Sequence, residues 1–543
     1  MKIPNTPASA LEEWFPEVDC FRDKQEAALN RVWADGSCMV LMPTGVGKSL
    51  IYQLPVFASR GIGIVISPLI ALMRQQADKL EAAGATVLSL GGEDAMSAQK
   101  SLKKFPWDKG PAFLFISPER AETDGYIEFL LRKHRDAITL IAVDEAHCIS
   151  EWGDDFRPAY KALPGFLDRV FGPTEWPSLL CLTATLDEYD QREILSDFRL
   201  TSGDVIRSDN ILRTNLDLGF HVYEDTPAKL DALDKLLDEH RGEKLIVYAH
   251  LKHNKERGTR ALAERYSAQG FRCRPFDADL PTKDKDATLG DFADGTVEVV
   301  FATGAFGMGI DIPDIRGVVH FLLPGSLEQY YQEVGRAGRD GKPAFGALLH
   351  TKVNTKVRRD MIRAGTRSAE QIQQTWNDLF GSGRPGVKSI SPWTQFQGQE
   401  DQHALFYAFQ RTGALKVLAR GPNRLKCFKA KSEEAKKFLE DLLKHTKTNL
   451  LAPAIKKQDK DIALAVQELY ELYDSGEMVL ERSPDRTVFF ERQDLTDAMI
   501  ALLVDEISRK VEKRLKGFDE FVELIESEAD PTEAVRNRLS HTT

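Results

Sequence analysis

Residues 43–49 read Pro-Thr-Gly-Val-Gly-Lys-Ser and follow directly on the apolar run Cys38-Met39-Val40-Leu41-Met42. A strand that empties into two spaced glycines and a Gly-Lys-Ser triplet builds a pocket for phosphate. Gly45 and Gly47 let consecutive backbone N–H groups of the loop, from Thr44 and Val46 onward, turn inward. A helix starting at Gly47–Lys48 adds the positive end of its dipole. Lys48 reaches the β- and γ-phosphates, and the Ser49 hydroxyl is a Mg2+ ligand. One departure is visible: the strict pattern has Gly where this chain has Met42.

A second motif supplies the carboxylates. The apolar run 138–143 ends in Asp144-Glu145-Ala146-His147. An Asp at the carboxyl end of a parallel strand lies beside the phosphate loop and holds Mg2+ through water. Glu145 is then placed to orient or deprotonate an attacking water. Four letters recur by chance, but this string ends a strand about a hundred residues after the Lys48-Ser49 pair. Together the motifs imply hydrolysis of ATP with Mg2+.

The 543 residues suffice for three or four domains, at 42% hydrophobic and 29% charged. No apolar run approaches membrane-spanning length, and the N-terminus has no apolar signal region. The expected compartment is the cytoplasm, at the nucleoid if the source is bacterial. The six cysteines (Cys20, Cys38, Cys148, Cys181, Cys273 and Cys427) form no C-x-x-C pair, so neither a disulfide framework nor a structural zinc site is expected. The net charge of −11 is uneven. Residues 351–460 hold 22 Lys/Arg against 10 Asp/Glu, and 461–543 hold 10 against 20. A basic block in an acidic chain suits a polyanion site, with Lys426, Lys429 and Lys431 as candidate phosphate contacts. A solvated, lysine-rich face is the alternative. The acidic end suits a protein partner.

Strands are expected at 62–66, 86–90, 113–116, 138–143 and 178–182, and again near 244–248, 271–276, 297–301, 317–321 and 345–349. Helical stretches alternate with them, so each series predicts a parallel sheet wrapped by helices. Two such lobes leave a ligand cleft at the carboxyl ends of their strands. After 350 the pattern changes. Residues 401–430 read as a helix and a hairpin turning at Gly421-Pro422-Asn423. Residues 462–491 repeat the form, turning near Ser483-Pro484-Asp485. Residues 494–529 read as helical and acidic.

Further motifs fall where the lobes would face each other. In Phe21-Arg22-Asp23-Lys24-Gln25 the Gln25 amide can donate to and accept from an adenine edge. Serines 67 and 117 open the stretches SPLIALMRQQ, which contains Arg74, and SPER. Both stretches put hydroxyls and helix N-termini where nucleic-acid phosphates dock, and both are equally good N-capping turns. In ATGAFGMGID (302–311), Thr303 is a candidate strand contact and Asp311 a candidate nucleotide contact. In QEVGRAGRD (332–340), Arg336 and Arg339 stand three apart on a helix and share a face. Facing a γ-phosphate, they would act as arginine fingers.

In this order the motifs resemble a superfamily-two helicase core. The stretch CISEWGDDFRPAY (148–160) narrows the resemblance to the RecQ family of DNA helicases, because it is similar to the aromatic-rich loop that follows DEAH there. The resemblance covers roughly residues 11–350. It implies an α/β chain with RecA-like lobes at 1–208 and 209–350. A C-terminal α+β region would follow, comprising a basic winged-helix unit (351–460), then a second winged helix and acidic helical tail (461–543). It also implies ATP-driven 3′-to-5′ movement on single-stranded DNA, with unwinding of forked duplexes. Trp152, Phe156 and Arg157 would sense the strand, since aromatic rings stack on bases of any sequence. The chain departs from the family at Asp154 and Asp277, where His is usual, and at 248–252. The family's zinc module is not recognisable. Two other readings remain: a motor subunit of a mobile-element or phage-defence complex, and an RNA helicase.

Overall fold

Seven strands build the first lobe: β1 (Cys38–Leu41), β2 (Ile62–Ile66), β3 (Thr86–Leu90), β4 (Ala112–Ile116), β5 (Ile138–Val143), β6 (Ser178–Thr183) and β7 (Val205–Arg207). They form one sheet in the order β3-β4-β2-β5-β6-β1-β7, every pairing parallel. The computed structural model describes residues 3–43, 45–149, 158–184, 186–209, 212–249, 251, 254–307, 312–381, 386–396, 399–444, 449–458, 461–527 and 529–541. β1, β2, β4 and β5 are buried along their whole length. Helices cover both faces, so these strands read as unbroken apolar runs rather than alternating ones. The order places β6 between β1, which leads into the phosphate loop, and β5, which leads into DEAH.

The second lobe is a six-stranded parallel sheet in the order β10-β11-β9-β12-β13-β8. Its strands are β8 (Leu216–Val222), β9 (Lys244–Tyr248), β10 (Cys273–Phe276), β11 (Val299–Ala302), β12 (Ile315–His320) and β13 (Ala344–His350). All the strands expected in the two lobes are present within two residues. β7 and β8, which end and begin the lobes, were not foreseen.

The C-terminal region departs from the reading of two local hairpins. Its strands are β14 (Gly386–Ile390), β15 (Leu415–Gly421), β16 (Phe428–Ala430), β17 (Met478–Leu480) and β18 (Thr487–Arg492). β15 does not pair with β16, nor β17 with β18. Instead β18 lies between β14 and β15, and β16 pairs with β17, all antiparallel. Both sheets thus join strands from either side of residue 460. The two turns are pinned together, since Asp485 accepts from the N–H of Asn423 (3.1 Å) and of Arg424 (3.0 Å).

This unit is welded to the first lobe. Leu425, Phe428, Leu469, Tyr470 and Tyr473 belong to one buried cluster with Tyr126, Ile127 and Leu130. The Tyr126 ring meets Tyr470 at 5.4 Å and Tyr473 at 5.2 Å. Tyr126 and Lys133 both donate to Asp474, at 2.7 and 2.6 Å. Buried Arg420 donates to the Glu122 carbonyl. Backbones touch as well: a Cβ on Gly125 would lie 1.8 Å from the Arg420 carbonyl oxygen.

The last long helix, Asp497–Ile525, runs 29 residues, or about 44 Å at 1.5 Å per residue. Ile500, Leu503 and Ile507 pack in the C-terminal unit, while Val511, Phe518, Phe521 and Ile525 pack in the core of the second lobe. Between these halves, Lys510 pairs with Glu193 (2.9 Å) and Lys513 with Asp187 (2.6 Å), both acids lying on the first lobe. Among the described residues no helix is long and apolar enough to cross a membrane.

Candidate active site

The phosphate loop turns as its glycines require, with φ at +84° for Gly45 and +85° for Gly47. Thr44 lies outside the described residues. The Lys48 ammonium donates to the Met42 carbonyl at 3.0 Å, and Ser49 opens the following helix. Met42 itself is buried and bonds through its N–H to Thr183 of β6, 3.1 Å away. Gln25 does more than the sequence suggested. Its Nε2 donates to the Gly47 carbonyl (2.8 Å) and to that of Val46 (3.2 Å), while its Oε1 accepts the Arg22 N–H at 2.8 Å. It braces the phosphate loop from behind, while the Arg22 side chain is exposed.

Asp144 and Glu145 stand side by side at the end of β5. Glu145 holds φ at +51°, a left-handed conformation that side chains seldom adopt. Burial first, and the Glu145 charge second, push the Asp144 carboxyl up to about 7, against the pull of Lys48. Two crowded carboxylates and a hydroxyl are the hard oxygen donors that suit Mg2+. His147 joins this pair to β6, with Nδ1 3.1 Å from the Thr183 hydroxyl and 3.3 Å from Glu145.

In the second lobe the helix expected to carry Arg336 and Arg339 ends at Val334, so both arginines stand on the turn that follows it rather than on a shared helix face. Burial lowers the Lys48 pKa, Glu145 and Asp144 oppose that, and the Arg339 charge adds to the lowering. Arg336 acts on buried His147 in the same sense. The charges of Arg339 and Arg336 are thus felt at Lys48 and His147 respectively. Arg336 is 8% exposed and donates to the Gly307 carbonyl, which ties QEVGRAGRD to ATGAFGMGID. Asp311 of the latter motif lies outside the described residues. The Thr303 hydroxyl accepts from the Ala305 N–H at 3.3 Å, in a turn at the end of β11. Asp277, where the family usually has His, is buried and pairs with Arg260 at 3.2 Å.

The expected strand contacts divide. Trp152, Phe156 and Arg157 lie outside the described residues, as does Asp154. Of the same stretch, Tyr160 is described and donates to the Asp144 carbonyl at 2.7 Å. Ser67, expected at the rim, is 2% exposed and donates to the Asp144 carboxylate at 3.4 Å, so it belongs to the ATP site as it stands. Ser117 is buried and caps the helix Pro118–Thr123, accepting from the Arg120 N–H; this is the capping alternative. Arg74 is exposed on the helix Ile70–Ala82. Lys426, Lys429 and Lys431 are all exposed, and Lys429 reaches Glu481 at 3.3 Å.

Helicase sequence models match both lobes. Residues 22–194 match the DEAD/DEAH box helicase model and residues 228–341 the helicase conserved C-terminal domain. The chain is 35% identical over 362 residues to the ATP-dependent DNA helicase hus2/rqh1 of Schizosaccharomyces pombe, covering 64% of this chain and 26% of that one. It is 35% identical over 346 residues to the ATP-dependent DNA helicase RecQ of Haemophilus influenzae, covering 64% and 53%. To a Bacillus subtilis protein named "Probable ATP-dependent DNA helicase RecS" it is 32% identical, over 65% of this chain and 68% of that one. The chain thus spans about half or less of the first two relatives' length. Among solved structures, Mycobacterium smegmatis helicase Lhr bound to ssDNA and AMP-PNP shares the fold, with a TM-score of 0.52 and 18% identity over 77% of this chain and 60% of that one.

Proposed function

Because this chain belongs to the RecQ-like family of superfamily-two helicases, we propose that it is an ATP-dependent DNA helicase that moves 3′ to 5′ on single-stranded DNA and opens forked duplexes in repair or recombination. What supports this reading is the phosphate loop with Lys48 beside the Asp144–Glu145 pair at the end of β5, together with the charges of Arg336 and Arg339 felt there from the second lobe. An ATP site built from both lobes makes hydrolysis and lobe movement one event.

In this reading Lys48 neutralises the β- and γ-phosphates as they enter the loop, and Gln25 and Arg22 line the adenine side. Ser49 and Asp144 hold Mg2+, whose chemistry is to offset phosphate charge and orient the γ-phosphate. Glu145 orients the attacking water. Arg336 and Arg339 stabilise the charge that develops on the γ-phosphate, a role worth about 10³–10⁵ in rate for such groups. Trp152, Phe156 and Arg157 grip the strand, and Tyr160 ties their segment to Asp144. Arg74 and Thr303 line the track between the lobes, and Lys426, Lys429 and Lys431 hold phosphates of the single strand.

No structural zinc belongs to the proposal. Cys427 is the only cysteine after residue 350, and its buried thiol donates to the Arg424 carbonyl. The protein would act in the cytoplasm. A protein partner would meet the exposed acids Asp505, Glu512 and Glu523 on the last long helix.

A second reading, a motor subunit of a larger complex, draws on the C-terminal region, which lies beyond the helicase models that end at residue 341. Strand displacement on 3′-tailed, 5′-tailed and forked DNA and on matched RNA, run beside ATPase rates, separates the cases. The helicase reading expects DNA-stimulated ATPase and displacement that requires a 3′ tail. Hydrolysis without displacement would favour the motor subunit, and stimulation by RNA alone would overturn both.

A further inference from the structure

The turn that presents the two arginines is held from an unexpected place. The helix Leu327–Val334 ends at Gly335, and its last carbonyls have no partner within the helix. Arg213 supplies one. Its Nη2 donates to the carbonyls of Gly335 (2.7 Å) and Ala337 (2.6 Å), and its Nη1 to that of Gly338 (3.1 Å). The Asn215 amide donates to Gly338 (2.7 Å) and Lys342 (2.7 Å). These carbonyls bracket the arginines: Gly335 and Ala337 flank Arg336, and Gly338 precedes Arg339. The fit is close, since a Cβ on Gly338 would lie 2.6 Å from the Asn215 amide nitrogen. A guanidinium suits the task because its planar fork reaches several acceptors at once and stays charged at a negative helix end.

Arg213 belongs to neither sheet. It lies on the connection between β7 and β8. At the near end of that connection, the Ser208 N–H bonds to the Leu41 carbonyl at 2.8 Å, just before the phosphate loop, and Asp209 pairs with Lys24 at 2.5 Å. The interlobe connection is thus tied to the phosphate-loop strand at one end and to the arginine turn at the other.

We propose that Arg213, supported by Asn215, is a positioning residue for ATP hydrolysis: it sets the backbone of the turn that carries Arg336 and Arg339 and links that setting to the arrangement of the lobes. This rests on the reading of those arginines as the groups that meet the γ-phosphate. A displacement of about 1 Å in a reacting group costs about 10²-fold in rate. Arg213→Ala in the full chain should therefore lower the kcat of DNA-stimulated ATPase by about that factor. KM for ATP, the Kd for a fluorescent ATP analogue and Tm should change little. Arg213→Lys should recover only a small part, because one ammonium cannot meet three carbonyls.

The decisive measurement is a mutant cycle against the pair Arg336→Ala and Arg339→Ala. If Arg213 acts through the arginine turn, adding Arg213→Ala to a chain that already carries both changes should lower kcat by less than about twofold. A full multiplicative loss, or a folded Arg213→Ala with kcat near wild type, would overturn the proposal. Should Arg213→Ala fail to fold, Arg213→Lys and Asn215→Ala are put through the same cycle, with the same two outcomes deciding. Lys48→Ala, Arg336→Ala and Arg339→Ala serve as controls. If these keep full ATPase, the assigned hydrolytic site falls and this proposal with it. If they lose it while Arg213→Ala does not, only the role of Arg213 falls.

Discussion

Glu145 carries its carboxylate on a left-handed backbone, where a side chain costs on the order of 1–3 kcal/mol and persists only under constraint from its surroundings. The constraint here is the 3-10 turn Ala146–Ile149 behind it and the contact with His147. Glu145→Gln preserves shape and hydrogen bonding but loses the charge, so it should bind ATP normally and stop turnover. Lys48→Ala should lose both binding strength and hydrolysis. ATP-analogue binding and steady-state ATPase check the pair, and near-wild-type ATPase in both would dismiss the site. The residues that touch phosphate were legible because their chemistry leaves few alternatives: glycines for the turn, a lysine, paired carboxylates. Residues that act on backbone were not. Gln25 read as an adenine contact, Ser67 as a rim or capping serine and Arg213 as nothing in particular, and only the fold shows the carbonyls or carboxylate each one meets, whereas the capping by Ser117 was one of its two readings.

Strands buried on both faces announce themselves, and those of both lobes were found within two residues. The two that were missed lie at sheet edges: β7 has three half-buried residues, and β8 alternates Leu-Asp-Leu before it frays into exposed positions. In the C-terminal region the turns were located but not the pairings. A local pattern says that a segment is extended; it does not say which neighbour completes it. The junction between this unit and the first lobe is testable at Gly125. Gly125→Ala forces a methyl group against the Arg420 carbonyl, and such overpacking costs about 1–3 kcal/mol. The denaturation midpoint should fall, and protease cleavage should appear around the helix Gly125–Lys133. Unchanged values would mean the two backbones part easily. On the exposed side, neutralising Lys426, Lys429 and Lys431 together should reduce the slope of log affinity against log salt by about 0.7 per lost contact on single strands. An unchanged slope would leave the cluster a solvated face.

At the scale of the whole molecule, the helix Asp497–Ile525 is a strap. One half is embedded in the C-terminal unit and the other in the second lobe, while Lys510 and Lys513 reach acids of the first. These pairs are partly buried, so salt screens them less than surface pairs. Lys513→Glu sets a carboxylate against Asp187 and Asp190. It should raise the radius of gyration of the free chain in solution scattering and raise KM for ATP. A radius equal to that of wild type would show that packing alone closes the cleft. The shared core of the C-terminal unit and the first lobe has a consequence for ancestry. A domain joined by a linker can be gained, lost or exchanged as a cassette, but this one cannot. A lineage that dropped it would leave Tyr126, Ile127 and Leu130 facing water, and one that replaced it would have to recast that face of the motor in the same step.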